Sequence, residues 1–240
     1  MKELIRADLR RILRKPSFTI LLIFLLFFQL VDVIRTMEDP DQYITLSHSS
    51  FGGIYLMIVT IFAFLSVFAD DQKSNAYASI IGTGMERHTL LLAKIIDCTI
   101  LIGLYYSIML IVRDYLCREL EMPVSVRQRC FVALFVFFCA LRGTSCLILS
   151  MLVLYAFDST SIAILTDVTL TLIAGTLCKY LQTISKVELY DFLIDGLFDN
   201  AYANLSVGRL PWQLVPAFVV YFGGAFAAAA AIFQKKELSL

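Results

Sequence analysis

Few residues in this chain have types and spacings that could do chemistry, and the most notable of them stand in apolar surroundings. Arg142, Asp167 and Thr171 fall inside long apolar runs. An ionisable side chain in such a place faces a bundle interior or a water path, because lipid solvates it poorly. Asp167, Thr171, Gly175 and Cys178 share one helical face, a small and polar stripe. Two readings stay open for that face. It lines a conduit together with Arg142, or it packs helices closely with Asp167 satisfied by a neighbour.

Covalent chemistry finds little support. Arg142 is followed by Gly143, Thr144, Ser145 and Cys146, which include nucleophile types. The two histidines, His48 and His88, lie outside the expected apolar spans, so no base accompanies them there. No GxSxG turn is present, and no GxxxxGK[ST] loop for a nucleotide. Gly82-Thr83-Gly84 is too short to cradle phosphates and reads as a helix stop. Metal spacings such as CxxC and HExxH are missing too. Cys98, Cys139, Cys146 and Cys178 sit in apolar runs as small hydrophobes. Cys117 and Cys130 flank a polar loop, where a disulfide and two free thiols are both open. The chain is therefore not expected to be an enzyme.

The elements that must position these residues are membrane helices. Of 240 residues 59% are hydrophobic and only 17% charged, and the mean hydropathy is +0.79. Soluble domains carry about half apolar and a quarter charged residues. The apolar excess is gathered into blocks long enough to cross a bilayer as helix. Spans are expected at about 17–34, 51–69, 95–112, 130–157, 161–180 and 212–233. A break is expected in the fourth, at Arg142 to Ser145. No polar stretch between the spans is long enough for a soluble domain. Twenty basic residues balance twenty acidic ones, which gives no footprint for nucleic acid. The expected fold is all-α and polytopic, one transmembrane domain over residues 1–240.

Ahead of the first span, Leu4, Ile5, Leu9, Ile12 and Leu13 recur at helical spacing. Lys2, Arg6, Arg10, Arg14 and Lys15 occupy other faces, and Pro16 ends the segment. This reads as an amphipathic helix at the lipid interface. Its basic residues place both termini in the cytoplasm by the positive-inside rule. Asp97, at the inner end of the third span, is expected to be solvated. Asp32 and Arg35 can pair at the far end of the first span. Residues 181–211 read as a mixed outer segment with short helices.

One cytoplasmic stretch remains, Asp70 to Lys94. It is too long for a turn and too short for a domain. Asp71 and Ala76–Ile81 are followed by Gly84, Arg87 and the approach Leu90-Leu91-Leu92-Ala93-Lys94. Near the chain's end stands Ile232-Phe233-Gln234-Lys235-Lys236-Glu237-Leu238. With the six-span layout, these features resemble the membrane subunit of ABC-2 type transporters. The family's Gly-Thr at the start of the coupling helix is replaced here by Asn75-Ala76. The resemblance implies a permease of the bacterial plasma membrane that exports a peptide, antimicrobial or drug-like substrate, or confers bacteriocin immunity. It implies a separate cytoplasmic ATPase that binds ATP and Mg, contacts Asp71, Ser74, Tyr77, Ile80, Ile81, Gly84 and Arg87, and works with a second permease copy or a related one. Membrane lipid is the other partner. The alternative is a membrane binding, immunity or sensor protein that transports nothing.

Overall fold

A computed structural model describes residues 1–38, 43–69, 80–82, 84–185, 190, 193–207, 209 and 214–235. Almost all of these are helical and none forms a strand. The elements are α1 (Lys2–Leu13), α2 (Pro16–Glu38), α3 (Tyr43–Ser49), α4 (Tyr55–Phe64), α5 (Arg87–Glu119), α6 (Val126–Phe157), α7 (Thr160–Val168), α8 (Ala174–Ser185), α9 (Ile194–Ser206) and α10 (Leu214–Lys235). π-helical turns join α3 to α4 and α7 to α8. Six helical stretches are long and apolar enough to cross a membrane: Pro16–Met37, Tyr43–Phe68, Arg87–Glu119, Val126–Phe157, Thr160–Ile184 and Val215–Lys235. The chain is a multi-pass membrane protein.

Helix α6 is the axis of the bundle. Of its most apolar stretch 67% is buried, against 17% for that of α10. Helices α2 and α10 instead turn broad apolar faces outward, with Ile20, Ile23, Phe27, Val219 and Val220 all exposed. In water such faces would be an aggregation hazard, whereas in a bilayer they meet lipid.

Three local features differ from the sequence expectations. First, α6 runs unbroken through Arg142 to Ser145. The Thr144 and Ser145 hydroxyls donate to their own helix, to the carbonyls of Ala140 (2.9 Å) and Leu141 (3.0 Å). They support the helix instead of interrupting it, and Gly143 serves packing. A Cβ at Gly143 would lie 2.9 Å from Leu56 and 3.0 Å from Thr60, so α4 sits close against α6 there. Second, the second membrane stretch begins at Tyr43, and the Gly52-Gly53 pair is a kink within it, with Gly53 at φ −110°, ψ −109°. His48 therefore lies inside a span, packed against the rings of Tyr202 (4.3 Å) and Phe135 (5.2 Å). Third, α5 has 33 residues, about 50 Å of helix, against a hydrocarbon thickness of about 30 Å. Its ends carry charges that the sequence places in loops. Arg113 is fully buried. It donates to the Tyr43 carbonyl (3.4 Å) and stacks on the Tyr43 ring at 4.7 Å.

Two expected polar contacts are replaced. Asp32 accepts hydrogen bonds from Ser50 and Tyr55 instead of pairing with Arg35, because the kink at Gly53 brings that turn of chain over α2. Asp97 is fully buried, not solvated, since α5 begins well before the apolar run. Cys117 and Cys130 are both free thiols, the first buried and the second exposed.

Candidate functional site

Among the described residues, two polar clusters involve the residues that the sequence singles out. The first is at the end where α1 lies, where α5 starts and where α10 finishes. Residues 80–82 are helical, and Gly84 then takes a left-handed conformation, φ +93°, with its N–H donating to the Ile81 carbonyl (2.9 Å). Glycine adopts that conformation without a Cβ penalty and ends the turn. Ile80 and Ile81 are half-buried and pack on the core. Arg87 follows, in the first turn of α5. Its guanidinium donates to the carbonyls of Phe233 and Gln234, both at 3.0 Å, in the last turn of α10. A cation is favoured beside the carbonyls at the end of a helix.

Two turns further along α5, Lys94 is fully buried and donates to Asp8 of α1 at 2.6 Å. Arg11 reaches the other oxygen of Asp8 at 3.3 Å. Helix α1 thus sits against α5 through a buried charge pair as well as through Ile12 and Leu9. It also meets the π-helical turn Leu65–Ala69, where the second span ends. Of the residues that the resemblance assigns to the coupling loop, Ile80, Ile81, Gly84 and Arg87 are located here. Asp71, Ser74 and Tyr77 lie outside the described residues.

The second cluster surrounds Arg142, near the middle of α6. Its guanidinium donates to the Gly52 carbonyl (2.8 Å) and the Thr171 carbonyl (3.1 Å), pairs with Asp195, and lies 5.0 Å over the Phe198 ring. Both carbonyls belong to π-helical turns, whose irregular pattern leaves oxygens for outside donors. Asp195 comes from α9, which packs on α6 through Phe198, Tyr202 and Phe135. Gly175 is required for its approach, because a Cβ there would collide with the Asp195 carboxylate. Burial pushes the Asp195 carboxyl up, and the Arg142 guanidinium and the Gly175 N–H offset this only in part.

A second pair lies beside it. Lys179 of α8 donates to Asp199 of α9 at 2.7 Å, and Tyr190 also donates to Asp199. Burial raises the Asp199 carboxyl, but the bonds from Lys179 and Tyr190 outweigh it and hold the group below its ordinary 3.8. Its stabilising contribution is thus present at neutral pH and is lost only as pH falls below that range. Burial and the Asp199 bond push the Tyr190 phenol up to about 12. The two pairs, His48 and Thr171 line an open polar cavity of about 160 Å³.

Asp167 stands apart from this cavity. It accepts from Thr60 of α4 (2.7 Å) and Ser150 of α6 (3.3 Å) and is 1% exposed. The stripe on α7 and α8 therefore divides. Thr171 and Gly175 face the Arg142 cavity, while Asp167 ties three helices together. Asp167→Ala should leave Thr60 bonded to the Met57 carbonyl and Ser150 to the Cys146 carbonyl. The expected loss is about 1–2 kcal/mol, seen as a small drop in the melting temperature of the purified protein. An unchanged melting temperature would show that these bonds do not hold the three helices together.

Sequence reasoning singled out Arg142 and Thr171 but not their carboxylate. Asp195 falls in a segment of mixed character, and no spacing rule ties it to a residue so far back in the chain. The partnership of Lys94 with Asp8 was equally hidden. The one available signal was that each is a charge on an otherwise apolar helical face. Compared with known proteins, the chain matches no protein-family model and no curated protein sequence.

Proposed function

We propose that this chain is the membrane subunit of an ATP-driven exporter, of the ABC-2 type, with residues 70–94 as the segment through which a separate cytoplasmic ATPase acts. One observation carries the reading. From Ile80 onward the segment's described residues are tied to three different parts of the bundle: Ile80 and Ile81 to the core, Arg87 to the last turn of α10, and Lys94 to α1. A partner that moved this segment would move all three together. The sequence contains no GxxxxGK[ST] loop, and in this reading the motor is a second protein that binds ATP and Mg. Six spans form half a conduit, and the sparsely buried α10 leaves an outward face for lipid or a second permease copy. The Arg142 cavity is the polar interior on that path. In this reading the membrane is the bacterial plasma membrane, both termini are cytoplasmic, α1 is an amphipathic helix at the lipid interface, and the cargo is a peptide, antimicrobial or drug-like molecule. The chain itself performs no catalysis.

Affinity purification of the tagged chain from its native membranes tests this. An ATPase should co-purify in stoichiometric amount with the wild type and be lost when residues 74–87 are deleted, while the deleted chain keeps its helical content. A wild type that brings down no ATPase would favour the binding, immunity or sensor alternative.

A further inference from the structure

At the opposite end of the bundle from α1, the last turns of α5 and the first turns of α6 run antiparallel and leave a groove of about 590 Å³ between them, within the roughly 300–1,000 Å³ typical of small-molecule sites. We infer that this groove binds an anionic phospholipid of the surrounding bilayer, with its phosphate on Arg118 and Arg129.

The groove has the polarity profile of a lipid. Arg118 and Val126, at the helix ends, form its outer rim. One level in stand Asp114, Tyr115 and Arg129, and deeper still the wall is Leu110, Ile111 and Ala133. A charged rim thus passes into an apolar slot along the membrane normal. The slot opens sideways, where Val126, Ile111 and Tyr115 are 77%, 67% and 60% exposed. A slot open to the hydrocarbon is filled by an acyl chain, because a void there forfeits dispersion contacts.

The charges select the headgroup. One carboxylate, Asp114, serves both guanidiniums, at 2.7 Å from Arg118 and 3.1 Å from Arg129. The cluster therefore keeps a net positive charge. The Arg118 side chain is 67% exposed and that of Arg129 24%, so both guanidiniums reach the rim. A phosphate at the rim would supply acceptors to both arginines without displacing Asp114, and bidentate guanidinium contacts suit phosphate. A second negative group of protein origin is not needed, and a soluble anion would leave the apolar slot empty. The inference does not depend on the exporter reading.

Native mass spectrometry of the full chain in detergent tests it, with phosphatidylglycerol and phosphatidylcholine of identical acyl chains as probes. The wild type should retain phosphatidylglycerol about tenfold more tightly, because basic residues at a membrane surface attract anionic lipid. Arg118→Gln with Arg129→Gln should bring the two lipids close to parity. Ala133→Phe keeps every ion pair, sits at an exposed position and fills the slot. It should lower retention of phosphatidylglycerol several-fold at unchanged helical content, which decides the matter even where the arginine variant fails to fold. Equal retention of the two lipids by the wild type would overturn the inference. So would undiminished phosphatidylglycerol retention by Ala133→Phe, or a dimer that Ala133→Phe dissociates while lipid retention stays the same.

Discussion

Arg142→Gln should lower the stability of the purified protein by about 3–5 kcal/mol, the usual cost of removing one partner from a buried ion pair. Arg142 is 6% exposed, and its side chain holds three groups at once: the Asp195 carboxylate and the carbonyls of Gly52 and Thr171. Without the guanidinium, Asp195 is left buried with only the Gly175 N–H to offset its charge. The melting temperature should fall by about 10 °C for a chain of this size. Helix α9 should also loosen from the bundle, because what then holds it is apolar packing, with Phe198, Ala201 and Leu205 in the core, and the more exposed Lys179–Asp199 pair. An apolar pair, Arg142→Met with Asp195→Leu, should recover much of the loss, since burying two charges costs nearly as much as their attraction returns. A single variant as stable as the wild type would show that the pair is not what seats α9.

Lys94→Met should release the N-terminal helix. Lys94 is fully buried and its ammonium has Asp8 at 2.6 Å. Removing it leaves the largely buried Asp8 carboxylate with the part-exposed Arg11 as its remaining cation among the described residues. The loss is again about 3 kcal/mol or more, but it is local. The rest of α5 stays packed, and α1 swings away from the ends of the second and third spans. Limited trypsin digestion reads this directly, because Arg10, Arg11 and Arg14 lie on α1 or at its end. Cleavage there should become at least several-fold faster while the bundle stays intact. An unchanged cleavage rate would mean that Ile12 and Leu9 alone keep α1 in place.

The helical, membrane-embedded architecture was legible from the sequence because it depends on long apolar runs, a signal that survives without tertiary information. The boundaries were less so. The third apolar run ends where hydropathy drops, yet α5 continues to Glu119 because its charged turns find partners, with Arg113 stacked on Tyr43 and Arg118 paired with Asp114. Arg142 to Ser145 looked like a break because glycine, threonine and serine weaken an isolated helix. Inside the bundle the two hydroxyls bond back to Ala140 and Leu141, and Gly143 lets α4 approach. Arg142 itself was legible as a costly charge needing a partner. The identity of that partner was not, because α9 reaches it only through the fold. In the same way the side chain of Lys94 looked like a span's inner marker, and its burial under α1 could be seen only in three dimensions.

The exporter reading stands or falls on the loop, and the most direct measurement is ATP turnover by the isolated ATPase after the purified chain is added back. Turnover is compared between the wild-type chain and one lacking residues 74–87, both checked for helical content and melting temperature. The account predicts that the deleted chain folds but no longer alters the ATPase, so that turnover matches the isolated ATPase. A deleted chain that still assembles and still supports the wild-type rate would contradict it.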